Sequence, residues 1–252
     1  MDAQIQAYLR GAASLGRDTA RIGPFLATFS PRSENPYRNY AIPDDDATPS
    51  PDEVAALASA YRQRGRKPRL EYLASRAPAV EAALVAGGFV VEGRLPLMIC
   101  VPGAAIDLPV PSGIELLVPA SDGEYVAMVS AQHEAYGDPP PAPTAARDWR
   151  DRAAAGEIAM LARDTLSGEP AGGGLCTVPA DRTTELAGIG VRGAYRGRGI
   201  AAALTARLVQ AAFAAGVATV FLMAATEAEA RIYTRAGFTT VSEILHISLP
   251  TA

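Results

Sequence analysis

The sequence predicts an α+β (mixed α/β) fold, a mixed sheet flanked by helices, built as two tandem copies of which the first is partial. Three observations carry this reading. From Ile114 onward, short apolar or alternating runs that read as strands are interleaved with segments of helical periodicity. A glycine- and arginine-rich loop, Arg192–Gly199, separates one such strand from a long helix. A pattern of helix, Gly-Phe and apolar strand occurs twice, at Glu81–Val91 and Ala230–Thr240. With 252 residues, the chain also has room for two domains of about 100–150 residues each.

The elements follow in order. Met1–Ser14 is polar and amphipathic, unlike a signal peptide. Ile42–Pro51 is a polar, proline-rich loop, and Asp52–Arg64 a helix. Leu70–Leu73 reads as a strand, and the first Gly-Phe unit follows it. Pro102–Pro111 is the candidate interdomain linker, which divides the chain into 1–101, a linker at 102–111 and a second domain at 112–252. Ile114–Val118 is a strand, Asp122–Ala135 a helix and Asp138–Pro143 a stiff loop, and Thr144 opens a helix reaching Ala155. Ile158–Ala162, Ala171–Val178 and Leu186–Val191 are successive strands. Ile200, Leu204, Leu208, Ala211 and Ala215 recur at helical spacing, and Gly216 serves as a helix stop. Val217–Ala225 is apolar but for Thr219 and reads as a strand buried on both faces. Thr226 and Glu229 form a capping box opening a short helix that Gly237 ends, and Phe238–Leu249 closes the fold as a strand.

The echo extends upstream. Leu70–Leu73 and Val220–Met223 precede the two Gly-Phe units, and the helices Asp52–Arg64 and Ile200–Ala215 precede those strands. In this alignment Leu84 stands where the second copy has Tyr233, and Ala47–Asp52 has none of the glycines and arginines of Arg192–Gly199. The first copy lacks the groups that would do chemistry.

Composition excludes several function classes. Apolar residues at 49% suffice for a core, and charged residues at 20% with net charge −4 fit an ordinary soluble protein. That balance argues against a general nucleic-acid binder, which needs a basic face to displace counterions. No apolar run is long enough to span a bilayer, so no membrane partner and a cytoplasmic location are expected. Cys100 and Cys176 lie in apolar surroundings and read as buried thiols. His133 and His246 are the only histidines, and no metal-ligand spacing exists. No motif encodes an oligomeric state.

The loop Arg192–Gly199 has its own physics. A loop feeding a helix N-terminus presents unpaired N–H groups and the positive end of the helix dipole. Gly197 and Gly199 let the backbone approach an anion closely, and three arginines in seven residues call for a counter-charge. Together they suggest an anion site, most naturally for a pyrophosphate. A solvated basic turn is the alternative.

Arg196-Gly197-Arg198-Gly199-Ile200-Ala201 resembles the R/Q-x-x-G-x-G/A signature of the GNAT N-acetyltransferase superfamily, in the same place between a strand and a long helix. Ala230–Phe238 resembles that family's second block, a helix carrying a tyrosine and ending in Gly-Phe. The resemblance covers roughly Ile114 to Leu249, and the first hundred residues resemble a degenerate copy as in tandem members. It implies an acyltransferase using acetyl-coenzyme A as co-substrate, with no metal, acting on a small-molecule or peptide amine. Backbone groups of Arg198–Ala201, within a loop starting at Arg196 and Gly197, would hold the pyrophosphate. The main chain of Ile189, Gly190 and Val191 would pair with the pantetheine arm like an added strand. Tyr233 would serve as general acid for the departing thiolate. One departure is Thr226-Glu227-Ala228, where the family often has an asparagine.

Acetyl transfer also needs a neutral amine nucleophile, and an alkyl ammonium has a pKa of about 10.4. Glu185, at the start of the strand that would face the thioester, is the candidate base acting through water, with a solvated strand end as the alternative. His133, Glu134 and Tyr136, at the end of their helix, are candidate acceptor-binding residues, with surface or capping roles as the alternative for the first two. Two rival functions remain open. One is a non-catalytic acetyl-CoA-binding sensor or interaction module. The other is a dinucleotide-binding oxidoreductase, since Gly197–Ala202 also fits a loose G-x-G-x-x-A pattern, although no acidic residue sits at the usual place after the next strand.

Overall fold

The computed structural model describes residues 1–31, 33–142 and 145–250. Pro143 and the helix start expected at Thr144 lie outside them. In chain order the elements are α1 (Asp2–Ser14), β1 (Asp18–Ile22), β2 (Phe25–Phe29), β3 (Ala41–Pro43), α2 (Pro51–Gln63), β4 (Arg69–Leu73), α3 (Pro78–Ala86) and β5 (Val90–Cys100). Then come β6 (Ile114–Leu117), α4 (Asp122–Tyr136), α5 (Ala145–Ala154), β7 (Ile158–Asp164), β8 (Pro170–Cys176), β9 (Thr183–Val191), α6 (Ile200–Ala214), β10 (Thr219–Met223), α7 (Glu227–Arg235) and β11 (Thr239–Ser248). The mixed α+β class and the helix–strand–helix–strand echo, α2-β4-α3-β5 and α6-β10-α7-β11, are both present.

The chain forms two compact units, one of Met1–Leu97 with the chain from Val241 onward, the other of Met98–Thr240. This division differs from that drawn at the proline-rich segment. Most of β11 belongs to the first unit, where it pairs antiparallel with β4, Ile244 opposite Leu73 and His246 opposite Glu71. Pro102–Pro111, expected as a linker, is part of the second unit. Ala105, Leu108 and Val110 pack on that unit's core, and the Ile106 N–H donates to the Ala236 carbonyl at 3.2 Å. Prolines keep this segment out of helix and ladder but do not keep it from being packed.

In the first unit β1, β2 and β3 are antiparallel neighbours, and β3 runs parallel to β4 through Ala41 and Leu70. Arg69, 1% exposed, staples this unit, bonding Glu71 and the Glu92 carboxylate, the latter at 2.7 Å. Burial would raise Glu92, but hydrogen bonds from Lys67, Ser248 and Arg69 outweigh it and hold the carboxyl down to about 2.

In the second unit β6, β7, β8 and β9 form an antiparallel run, and β9 is parallel to β10. Alternation along β8 and β9 sends Cys176 and Leu186 to one face and Leu175 and Ala187 to the other. Helix α6 covers the first face with Leu204, Leu208 and Ala212, and α4 the second with Tyr125, Met128 and Val129. Each fully buried Leu or Val contributes roughly 1.5–3 kcal/mol. Strand β10 is buried on both faces, with Val220 and Phe221 at 0% exposure, as its apolar run predicts. Cys100 and Cys176 are free and buried.

Three strands, β1–β3, were not legible in the sequence, and β9 starts three residues before the expected Leu186. Thr183 and Thr184 hide it, because their hydroxyls look solvated in sequence yet are fully buried; Thr184 Oγ1 donates to the Thr177 carbonyl at 2.5 Å.

Candidate active site

The parallel pairing of β9 with β10 runs from Thr183–Thr219 to Glu185–Phe221. Beyond Glu185 the register of β9 against β8 shifts, between the pairs Leu175–Ala187 and Gly173–Gly190. The irregularity centres on Gly188, whose φ of +63° is a backbone state that side chains disfavour. Helix α4 holds this bulge. Gln132, 6% exposed, donates from Nε2 to the Gly188 carbonyl at 2.6 Å, and Tyr136 Oη donates to the Ile189 carbonyl at 3.0 Å. A side chain at Gly188 would meet Gln132 Nε2 at 2.7 Å.

A cleft of about 280 Å³ lies where the two strands part. Its walls are Glu185–Ile189 of β9, Met223 and Ala225 at the end of β10, Ala201 of α6, Glu229, Ile232 and Tyr233 of α7, and Tyr136. Ala201 lies in the first turn of α6, whose N-cap, Gly199, is left-handed (φ +86°) and supplies no side-chain cap. The first turn of this 15-residue helix, at the positive end of its dipole, thus receives no side-chain cap. A Cβ on Gly197, also left-handed at +77°, would meet nothing within 4 Å, so its glycine answers to backbone conformation rather than crowding.

The arginines do something the sequence does not reveal. Arg192 pairs with Glu134 at 2.7 Å and Glu169 at 3.5 Å. Arg196 donates to the carbonyls of Val191 at 3.1 Å and Ala135 at 2.9 Å, the latter near the negative end of α4. Arg198 donates to the Ser112 carbonyl at 3.2 Å and lies over the Tyr195 ring at 5.5 Å. Their mutual repulsion is answered by these partners, which frame the loop.

Tyr233 packs edge-on to Phe238, ring centroids 6.1 Å apart. Burial first, then the nearby Tyr136 and Glu229, push its phenol well above the ordinary value, so it stays protonated at neutral pH. Glu185 is half-buried at the last paired position before the strands separate. Glu229 accepts the Ala225 N–H at 2.9 Å, and Thr226 Oγ1 accepts the Glu229 N–H at 3.2 Å, so the expected capping box closes one residue further back.

The structure thus gathers Tyr233, Glu185, Tyr136, Ile189 and Ala201 around one cleft, with Gly190 and Val191 continuing β9 and Arg196–Ile200 leading into α6. His133 and Glu134 do not line it. The His133 ring contacts the Pro139 carbonyl, and Glu134 serves Arg192. The sequence reading gave Gln132 and Gly188 no role at the site and Glu229 only a capping role. A glycine inside a strand run is a bulge signal that could have revealed Gly188. Among the described residues no cluster of His, Cys, Asp or Glu could hold a metal, and no helix is long and apolar enough to cross a membrane.

Comparison with known proteins agrees with the mixed α+β fold. Residues 118–238 match the model of the acetyltransferase (GNAT) family. The matched stretch lies within the second unit. A GCN5-related N-acetyltransferase from Kribbella flavida shares the fold with a TM-score of 0.83, at 24% identity, over 100% of this chain and 96% of its own. One from Sphaerobacter thermophilus superposes with a TM-score of 0.68 at 19% identity, covering 91% of this chain and 78% of its own. A tandem GNAT protein from the clavulanic acid biosynthesis pathway, solved without AcCoA, gives 0.65 at 12% identity over 95% and 85%. No curated protein matches the sequence.

Proposed function

We propose that the second unit transfers an acetyl group from acetyl-coenzyme A directly to an amine-bearing acceptor. The observation that carries this reading is the splay of β9 from β10 directly beside the uncapped start of α6. An extended polyamide arm suits the exposed edge of β9 at Ile189–Val191, as in strand addition, and a pyrophosphate suits the N–H groups of Arg198–Ala201. Acetyl-coenzyme A supplies the activated acyl group and a thiolate leaving group. Tyr233 donates a hydrogen bond to the departing sulfur. A thiol's pKa is about 8.5, below even an ordinary phenol's, so full proton transfer from Tyr233 to sulfur is uphill until the phenol is resupplied by the acidified amine. Glu185, through water, takes the acceptor's proton. The walls carry two carboxylates, Glu185 and Glu229, and no Lys or Arg, which favours a cationic amine over an anionic acceptor.

Thermal melting with acetyl-CoA, CoA, NADPH or buffer tests the reading. A ligand at roughly a hundred times its Kd adds about 2.7 kcal/mol of stability. Acetyl-CoA and CoA should raise Tm and NADPH should not. Ala201→Glu places a carboxylate in the first turn of α6, where the dipole tolerates it but a pyrophosphate does not. That variant should melt normally and lose the acetyl-CoA shift. A shift with NADPH alone, or a full acetyl-CoA shift in Ala201→Glu, would remove the proposal. Acetyl-CoA turnover with and without a panel of amines separates an enzyme from a binding module.

A further inference from the structure

The first unit repeats both features of this site, and in both its own groups already take up the polar positions. The strands come first. β3 and β4 run parallel and pair through Ala41 and Leu70, as β9 and β10 pair up to Glu185 and Phe221. Farther along, the side chain of Gln6 from α1, 0% exposed, stands between them. Its Oε1 accepts the Leu73 N–H of β4 at 3.0 Å, and its Nε2 donates to the Pro43 carbonyl of β3 at 3.4 Å. Arg10, one helical turn on, donates from Nε to the same carbonyl at 3.2 Å and pairs with Asp45. A single primary amide thus links an acceptor on one strand with a donor on the other, the pairing an inserted polyamide arm would make. In the second unit the corresponding side chains, Gln132 and Tyr136, bond carbonyls of β9.

The helix start tells the same story. α2 is the counterpart of α6, but Ser50 caps it. Ser50 Oγ accepts the Glu53 N–H at 3.3 Å, and the Glu53 carboxylate accepts the Ser50 N–H at 2.8 Å. Asp52 and Glu53 place two carboxylates in the first turn, where α6 has none. A pyrophosphate there would meet negative charge and N–H groups already engaged.

We propose that α1 is a resident occupant of the first unit's ligand groove, the Gln6 carboxamide standing where a pantetheine amide would pair, so that the chain binds one acyl-CoA and binds it in the second unit. The stoichiometry rests on the reading of the second unit given above; the role of Gln6 does not. Two measurements on the full chain separate them. Titration calorimetry with acetyl-CoA should give one site per chain, and none in Ala201→Glu. Two sites, or one that survives Ala201→Glu, overturn the single-site assignment. Hydrogen exchange at the Leu73 amide reads Gln6 directly and needs no ligand. Leu73 should be protected in the wild type and exchange at least about tenfold faster in Gln6→Met, which keeps volume and loses both polar atoms, while β1 and β2 amides keep their protection. An unprotected Leu73 in the wild type, or unchanged protection in a folded Gln6→Met, overturns the occupant role. Failure of acetyl-CoA to bind at all defeats the proposed function and the stoichiometry together, and leaves the exchange result to decide Gln6.

Discussion

Tyr233 owes its chemistry to what surrounds it. A tyrosine near the end of an exposed helix would be an ordinary phenol. Here burial, then the neighbouring Tyr136 and the negative field of Glu229, keep it protonated beyond its usual range. The sign matters. A raised value leaves the donor form intact through neutral and mildly alkaline pH, so Tyr233 should not produce an alkaline decline in rate below about pH 10. Tyr233→Phe keeps the ring and removes the donor. Turnover should fall at least about tenfold with the KM for acetyl-CoA little changed, because the hydrogen bond strengthens only as charge develops on sulfur. Steady-state kinetics checks this, and an unaltered kcat would end the general-acid assignment. Tyr233 and the Arg-Gly loop were readable from local pattern. Gln132 was not, because nothing near it in sequence reveals that its amide meets Gly188, fifty-six residues away.

Elements carry a different kind of constraint. α5 and β7 are joined by a tight connection that buries the Glu157 carboxylate beside Arg152, their nearest charged atoms 3.4 Å apart, with the Glu157 side chain 5% exposed. Burial pushes its carboxyl up to about 7, and Arg152 only partly offsets this. The folded-state value thus lies above the unfolded one, about 4.3. Below that value both states are protonated and nothing is lost. Between that value and about 7 the unfolded state ionises while the folded carboxyl stays protonated, so stability falls across this window and levels off once the folded group ionises too. Glu157→Gln should therefore be close to neutral at pH 4 and stabilising at pH 8, on the order of 2 kcal/mol. Chemical denaturation at the two pH values reads the difference, and a variant effect independent of pH would contradict it. At this scale most elements were legible, since helical period, caps and apolar runs are local. The hairpin β1–β2 and strand β3 escaped, because their short mixed segments become strands only through pairing.

At the scale of the whole molecule, the two compact units do not divide where composition suggests. Ile244, Leu245 and Ile247 of β11 are fully buried in the first unit, contributing roughly 1.5–3 kcal/mol each against a total stability of about 5–15 kcal/mol for a domain. A fragment of residues 112–252 carries this strand without β4. It should express largely insoluble, or elute as aggregates by size exclusion, while the full chain stays soluble. A soluble, cooperatively melting fragment with the full acetyl-CoA shift would show that β11 does not need the first unit.

What the sequence determined by itself was whatever depends on neighbours a few residues apart: the order of strands and helices from Ile114 onward, the glycine-led start of α6, the Gly-Phe ends of α3 and α7, and the absence of Tyr233's counterpart at Leu84. Only the tertiary structure decided what each polar group is for. It set Arg192, Arg196 and Arg198 to framing a loop, brought Glu229 and Tyr136 to the same cleft as Glu185, gave β11 to the first unit, and laid Gln6 across β3 and β4. The reason is physical. Backbone propensity and capping act over one or two helical turns, whereas a buried donor or acceptor must find a partner wherever the fold brings one, at any distance along the chain.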